Sequence, residues 1–148
     1  MTFMAYKIAL SDIYMLSSHI NNRKYIHKED FMGKMSKDKG KRFERQVASL
    51  LRDYGYPAHR TAQFRGNTGR AGDVEGVPHV HIECKHQERM CLYDWISQSS
   101  ADAAAEGKGN LPAVIHKANN KPILVTMSFE DWIKMYREYA SGKDLEVI

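Results

Sequence analysis

The 148-residue chain predicts an α/β domain in which helices flank a central mixed β-sheet. Two observations support this fold class. Apolar stripes with helical spacing alternate with short extended segments, in the order helix, three strands, helix, two strands, helix. The composition, 43% hydrophobic and 27% charged, is that of a globular protein of about one domain.

The first predicted helix begins near Asp38 and ends at Gly55, with Pro57 just beyond it. Its apolar stripe contains Phe43, Val47, Leu50, Leu51 and Tyr54. Residues 1–34 are predicted to be an N-terminal extension of uncertain role, and 35–148 the main domain. The extension has a weakly periodic apolar pattern and a turn signal at Asn21 and Asn22, which predict a short helix and a strand.

Three extended segments follow, at His59–Phe64, Asp73–Val77 and His79–Lys85. A glycine-rich loop, Arg65–Gly72, separates the first two segments. The turn between the second and third segments is short enough to predict an antiparallel hairpin.

The second half of the chain predicts a helix over Leu92–Glu106, closed by Gly107, and strands at Ala113–His116 and Ile123–Met127. A turn at residues 119–122 joins the two strands. The last helix is predicted to begin after Ser128, which has Asp131 three residues on, and to end at Gly142.

Positive charge is concentrated in one segment. Between Lys34 and Arg70, ten basic residues stand against three acidic ones, a local net charge of +7 in a chain of net charge +4. Such a segment predicts a surface that binds a polyanion, with nucleic acid as the leading partner, and a solvated helix face is the alternative.

Other features exclude several classes of protein. No apolar run approaches the length of a membrane span and the N-terminus lacks a signal-peptide pattern, which predicts a soluble protein of the cytoplasm. Cys84 and Cys91 are too few for a disulfide framework and are expected to be free thiols.

The segment 79–85 alternates, so that Glu83 and Lys85 point to one side of a strand and Cys84 to the other. A carboxylate and an ammonium group on one side can act at one site, although a surface ion pair is the alternative. The hairpin brings Asp73 near Glu83, and Glu44 borders the apolar stripe of the first helix. Hard oxygen ligands of this kind suit Mg²⁺ or Mn²⁺.

These motifs resemble a known superfamily. The run Lys39–Arg45 on a helix, then a glycine-rich loop, Gly72-Asp73 and Ile82-Glu83-Cys84-Lys85, is similar to PD-(D/E)xK nucleases, and more narrowly to Holliday junction resolvases of archaea and phages. The resemblance covers residues 36–137. It implies a three-layer-like restriction-endonuclease core and metal-dependent hydrolysis of DNA. Gly72 stands where the superfamily name has proline.

Carried over to this sequence, the resemblance implies a divalent metal held by Glu44, Asp73 and Glu83. Lys85 would assist the attacking water, and Gln98 would support the site. Phosphates are expected to bind to Lys39, Arg42, Arg45, Arg60, Arg65 and Arg70. The expected substrate is a four-way DNA junction, cut by a C2 homodimer in recombination or repair, with a phage gene in a bacterial host as the setting.

The sequence leaves open three alternatives to a metal-dependent junction resolvase. A zinc site could use His79, His81, Cys84, His86 and Cys91, but His81 and Cys84 alternate to opposite faces. A non-catalytic nucleic-acid-binding protein would explain the basic segment without the carboxylates. A less selective nuclease of restriction or repair type would use the same site on other DNA.

Overall fold

The computed structural model describes residues 10–61 and 71–146, with side chains described for 31–61 and 71–143. Two compact units divide at Asp38. The elements are α1 (Leu10–Asp53), β1 (His59–Arg60), β2 (Val74–Glu75), β3 (Val80–His86), α2 (Leu92–Glu106), β4 (Leu111–Lys117), β5 (Leu124–Thr126) and α3 (Phe129–Glu146). The predicted order of helices and strands is confirmed.

The secondary structure predicted for residues 1–34, a short helix and a strand, was wrong. From Leu10 onward the described residues of this segment belong to the single helix α1, with neither a strand nor a turn at Asn21 and Asn22. The first proline of the chain is Pro57. Asn and Gly each cost only about 0.5–1 kcal/mol inside a helix, so the helix continues through them.

The five strands form one mixed sheet in the order β1-β2-β3-β4-β5. Strands β2 and β3 form the predicted hairpin, with Val74 opposite Ile82. Strands β3 and β4 are parallel and are joined through α2, whereas the other neighbours are antiparallel. Residues 62–64 of the predicted first strand lie outside the described residues.

Helices α1 and α2 cover opposite faces of this sheet. On one face, Phe43 and Val47 of α1 belong to an apolar core with Val74, Ile82 and Cys84. On the other face α2 packs over β3 and β4, where the Trp95 ring lies 5.7 Å from the His116 ring. The result is the three-layer α/β core that the sequence predicts.

The helix ends show which local signals determine a boundary. Gly107 ends α2 in the left-handed region at φ 67° and donates its N–H to Ala104 O. The Ser128 hydroxyl accepts the N–H of Asp131 at 3.1 Å and caps α3 as predicted. The predicted end at Gly142 was wrong: φ of Gly142 is not in the left-handed region and α3 continues to Glu146.

Candidate active site

Strand β3 presents Glu83 and Lys85 to the α2 side of the sheet. Lys85 Nζ donates a hydrogen bond to Glu83 Oε1 at 2.7 Å. The Glu83 side chain is 10% exposed and the Lys85 side chain 17%, so this is not an ordinary surface ion pair. Because an isolated buried charge is costly, the ammonium group offsets the burial of the carboxylate and each fixes the position of the other.

Helix α2 adds Gln98 to this pair. Lys85 Nζ donates a second hydrogen bond, to Gln98 Oε1, at 3.3 Å. Strand pairing alone leaves a lysine side chain with many rotamers, whereas two acceptors from different elements restrict it. The structure thus brings together three of the residues that the sequence singled out.

Asp73 precedes β2 and lies beside the same stretch of β3. Its backbone N–H donates to Ile82 O at 2.8 Å, and its Oδ2 accepts the backbone N–H of Cys84 at 2.8 Å. The chain before it comes unusually close to β3, because a Cβ on Gly72 would lie 2.7 Å from Ile82 O. Glycine at position 72 therefore permits the approach that fixes the aspartate.

The electrostatics of Asp73 differ from those of an ordinary surface carboxylate. Burial, the largest cause, and the neighbouring charge of Glu83 together raise the pKa of Asp73 to about 7. The hydrogen bond from the Cys84 N–H acts in the opposite direction. Two desolvated carboxylates therefore lie close together, an arrangement that a cation between them would stabilise.

Glu44 is engaged by Arg60. The Arg60 Nε donates to Glu44 Oε2, and the two side chains are 24% and 14% exposed. Glu44 is still close enough to raise the pKa of Asp73. The sequence assigned Glu44 to a metal and Arg60 to DNA, but the structure pairs them with each other, and both assignments remain predictions.

The donor set of this site fits a hard divalent cation. Mg²⁺ commonly uses one or two protein carboxylates and completes its shell with water and substrate phosphates. Asp73 and Glu83 provide such a pair. Within the part of the chain that the structure describes, no three His, Cys, Asp or Glu side chains are gathered as a ligand set, and the assignment of Glu44 to the metal stays a prediction.

The zinc alternative fits poorly. Cys84 is buried in the apolar core on the α1 side, and burial raises the pKa of its thiol, which disfavours the thiolate that zinc binds. His81 lies on the α2 side, where its ring is 3.5 Å from the Glu106 carboxylate. The two residues therefore cannot ligate one ion.

The residues predicted to bind DNA have different surroundings. Arg42 and Arg45 are exposed on α1, and Lys39 lies 3.6 Å from the Glu88 carboxylate. Arg65 and Arg70, together with most of the glycine-rich loop, lie outside the described residues. The exposed side chains of Arg42 and Arg45 on α1 therefore remain available to bind DNA phosphates.

No pattern in the sequence points to Lys117, a cation near the site. Lys117, at the end of β4, lies over the Phe43 ring at 5.6 Å and donates to Gln46 Oε1 at 3.4 Å. Burial lowers the pKa of the adjacent His86, and the charges of Lys39 and Lys117 lower it further. Seventy-one residues separate Gln46 from Lys117, so only the docking of α1 on the sheet brings these side chains together.

Comparison with protein families identifies the domain. Residues 35–147 match the family model described as "Phage putative PDDEXK endonuclease". The chain belongs to this family. The PDDEXK endonuclease domain is therefore a nuclease that acts on DNA, and such nucleases generally depend on a divalent metal.

The solved structures similar to this PDDEXK domain include Hjc of Archaeoglobus fulgidus, a Holliday junction resolvase from an archaeal hyperthermophile. The identity is 22%, the match covers 60% of this chain and 76% of that one, and the TM-score is 0.46. A search of curated protein sequences finds no match. Among the described residues, no helix is long and apolar enough to cross a membrane.

Proposed function

We propose that this PDDEXK domain is a Mg²⁺-dependent resolvase that cleaves four-way DNA junctions as a homodimer. The observation that carries the hydrolytic part is the placement of Asp73, Glu83 and Lys85 on one side of the sheet, tied by hydrogen bonds to Cys84 N–H and Gln98. The setting would be recombination or repair of phage DNA in the cytoplasm of a bacterial host.

Each residue has a distinct part in the proposed reaction. Asp73 and Glu83 would hold the metal ion, which when bound supplies Lewis-acid activation of water and of the phosphate. Lys85, held by Glu83 and Gln98, points its ammonium group at the same region and offsets charge that develops on the phosphate. Gln98 restricts the lysine to that position.

The DNA backbone would be bound by cations on α1 and at the end of β4. Lys39, Arg42 and Arg45 occupy one stretch of α1, and Lys117 lies against the same helix through Phe43 and Gln46. Contacts of this kind position a duplex without reading its sequence. They would therefore hold the arms of a branched substrate on either side of the scissile phosphate.

Selectivity for junctions is supported by the order of the motifs from Lys39 to Lys85, which resembles that of junction resolvases. Symmetric resolution requires two cuts, and a C2 dimer carries two equivalent active sites. Homodimerisation is thus part of the same proposal.

The test compares labelled four-way junction with linear duplex of the same sequence, in Mg²⁺, in Mn²⁺ and in EDTA. Paired cuts near the branch point, absent in EDTA and absent with Glu83→Gln, are expected. Glu130→Gln, an exposed carboxylate on α3, is the matched control and should cut normally. Equal rates on junction and duplex would make the protein a less selective nuclease, and binding without cleavage would make it a non-catalytic binder.

A further inference from the structure

Helix α3 carries a row of exposed aromatic side chains, the α3 stripe, made of Phe129, Trp132, Tyr136 and Tyr139. They are 69%, 46%, 49% and 62% exposed. Successive ring centroids lie 5.8, 5.2 and 6.4 Å apart, so the rings form a continuous row. Four neighbouring exposed aromatic rings are unusual on a monomer, since large apolar patches mark interaction sites.

The apolar surface extends beyond the stripe. Met135 of α3 is exposed one helical turn from both Trp132 and Tyr139, and the exposed Val125 of the edge strand β5 lines one groove with Met135. An aromatic side chain buries about 150–250 Å² when covered, so the four half-exposed rings offer on the order of 400 Å². With Met135 and Val125 the total is roughly 600 Å², which lies at the lower end of the area per partner in a standard protein interface.

The arrangement of the rings favours a protein partner over nucleic acid. Trp132 and Tyr136 stack on each other with an interplanar angle of 17°, and Phe129 and Trp132 with 29°. Their faces are therefore turned toward their neighbours along the helix. Base stacking needs a free ring face, whereas ring edges with Tyr hydroxyls are typical of protein interfaces.

The spacing of the stripe points to a second copy of this chain. The four aromatic positions are spaced by three, four and three residues, so the spacing is identical when the helix is followed from either end. A two-fold axis at the middle of the stripe would place Trp132 opposite Tyr136 of the partner subunit. The same axis places Phe129 opposite Tyr139 of the partner subunit, so each ring of the stripe meets a ring of the partner, as an isologous interface requires.

We infer that the α3 stripe is the surface through which two copies pair, with their α3 helices antiparallel. This inference rests on the proposed function for its purpose, the pairing of two active sites on one junction. The sequence suggested residues 1–34 or the alanine-dense face of α2 for the interface. The α2 face shows no such row among its described side chains, and in the N-terminal segment side chains are described only from residue 31 onward.

The first experiment measures the dimer dissociation constant of the full chain by analytical ultracentrifugation. Tyr136→Glu is expected to raise it by at least about tenfold, because a charge would lie in the centre of the interface. Tyr93→Glu, at a 93% exposed tyrosine on α2, is the matched control and should not change it. Circular dichroism checks that both variants fold. A monomeric wild type, or an unchanged constant for Tyr136→Glu, would overturn the inference.

A second experiment tests the register. Phe129→Cys and Tyr139→Cys chains, made in a Cys84→Ala, Cys91→Ala background, should form a disulfide-linked dimer when mixed and oxidised, and neither should do so alone. Cross-linking of Phe129→Cys with itself would contradict the antiparallel arrangement. Cleavage of junction DNA is assayed separately. A dimer that cuts no junction contradicts the proposed function alone, and a junction-cutting dimer whose dissociation constant is unchanged by Tyr136→Glu contradicts this inference alone.

Discussion

The two faces of strand β3 differ in almost every physical property. Toward α1, Ile82 and Cys84 join an apolar core that contains Phe43 and Val47. Toward α2, Glu83 and Lys85 form an ion pair, and buried polar groups accumulate. The polar and charged residues buried there are His81, Glu83, Ser99 and His116, beside the apolar Trp95, Ala103 and Val114.

The polar face is also incompletely satisfied. Among the described residues, the His81 ring nitrogens, the Ser99 hydroxyl and the His116 Nδ1 have no hydrogen-bond partner, although His81 Nδ1 lies 3.5 Å from the Glu106 carboxylate. Unsatisfied buried groups cost roughly 1–3 kcal/mol each, whereas the apolar face is stabilised by burial. The α1 side of the sheet is therefore an apolar core, whereas the α2 side combines buried apolar residues with the polar groups to which we assign the proposed cleavage.

The largest expected effect is on the cleavage rate, and it comes from a substitution on the polar face of the sheet. Asp73→Asn should slow cleavage by about 10³-fold, yet raise the melting temperature measured in EDTA. The amide still accepts the Cys84 N–H but removes a desolvated charge beside Glu83. Thermal unfolding and single-turnover cleavage measure the two quantities.

Asp94→Asn, at an exposed position of α2, is the control and should alter neither quantity. A lower melting temperature for Asp73→Asn in EDTA would show that this carboxylate stabilises the fold, and would break the division between the two faces.

The next effect concerns the apolar face. Ile82→Ala should lower the free energy of unfolding by about 2–4 kcal/mol, because Ile82 is 2% exposed and its removal leaves a cavity. Cleavage by the folded fraction should change little. Urea unfolding measures the first effect, with Met90→Ala, at a 40% exposed side chain, as a control expected within about 0.5 kcal/mol. A loss of cleavage greater than the loss of folded protein would contradict the separation.

A smaller effect is expected at Gln98. Gln98→Ala removes one hydrogen bond to Lys85, worth about 1 kcal/mol, and should slow cleavage about fivefold without changing stability. Gln98→Glu keeps an acceptor and should restore most of the rate. Ser97→Ala, at the exposed neighbouring position, is the control. If Gln98→Glu were as slow as Gln98→Ala, the position of Lys85 would not depend on this hydrogen bond.

The smallest effect is a pH dependence of stability from His116. Burial lowers the pKa of His116, so the unfolded chain takes up a proton that the folded chain resists. Stability from this group is therefore present above the ordinary histidine pKa of about 6.5 and falls as the pH decreases, by less than about 1.4 kcal/mol per unit. The raised pKa of Asp73 adds an opposite slope that both chains share, so between about pH 7 and 5 His116→Gln should lose less stability, or gain more, than the unsubstituted chain. Urea unfolding across this range measures the difference, and the exposed His59→Gln should match the unsubstituted chain.

Much of the fold was predictable because it depends on local signals. The alternation of residues 79–85 predicted which side chains share a face, and the short turn after β2 predicted the hairpin that brings Asp73 to β3. Gly107 and Ser128 predicted helix ends, because a left-handed residue or a side-chain cap acts within one helical turn. Gly142 failed as a stop signal, since glycine ends a helix only when it adopts that conformation.

The sequence by itself determined the type and order of the elements after Asp38 and placed Asp73, at the start of one segment, beside the strand that carries Glu83 and Lys85. Tertiary structure alone decided that Glu44 pairs with Arg60, that Gln98 reaches Lys85, that Lys117 lies on Phe43 and that the α3 stripe remains exposed. The physical reason is the distance along the chain over which each kind of interaction acts. Backbone preferences and alternation act over a few residues, whereas these contacts join distant segments and depend on how each helix docks on the sheet.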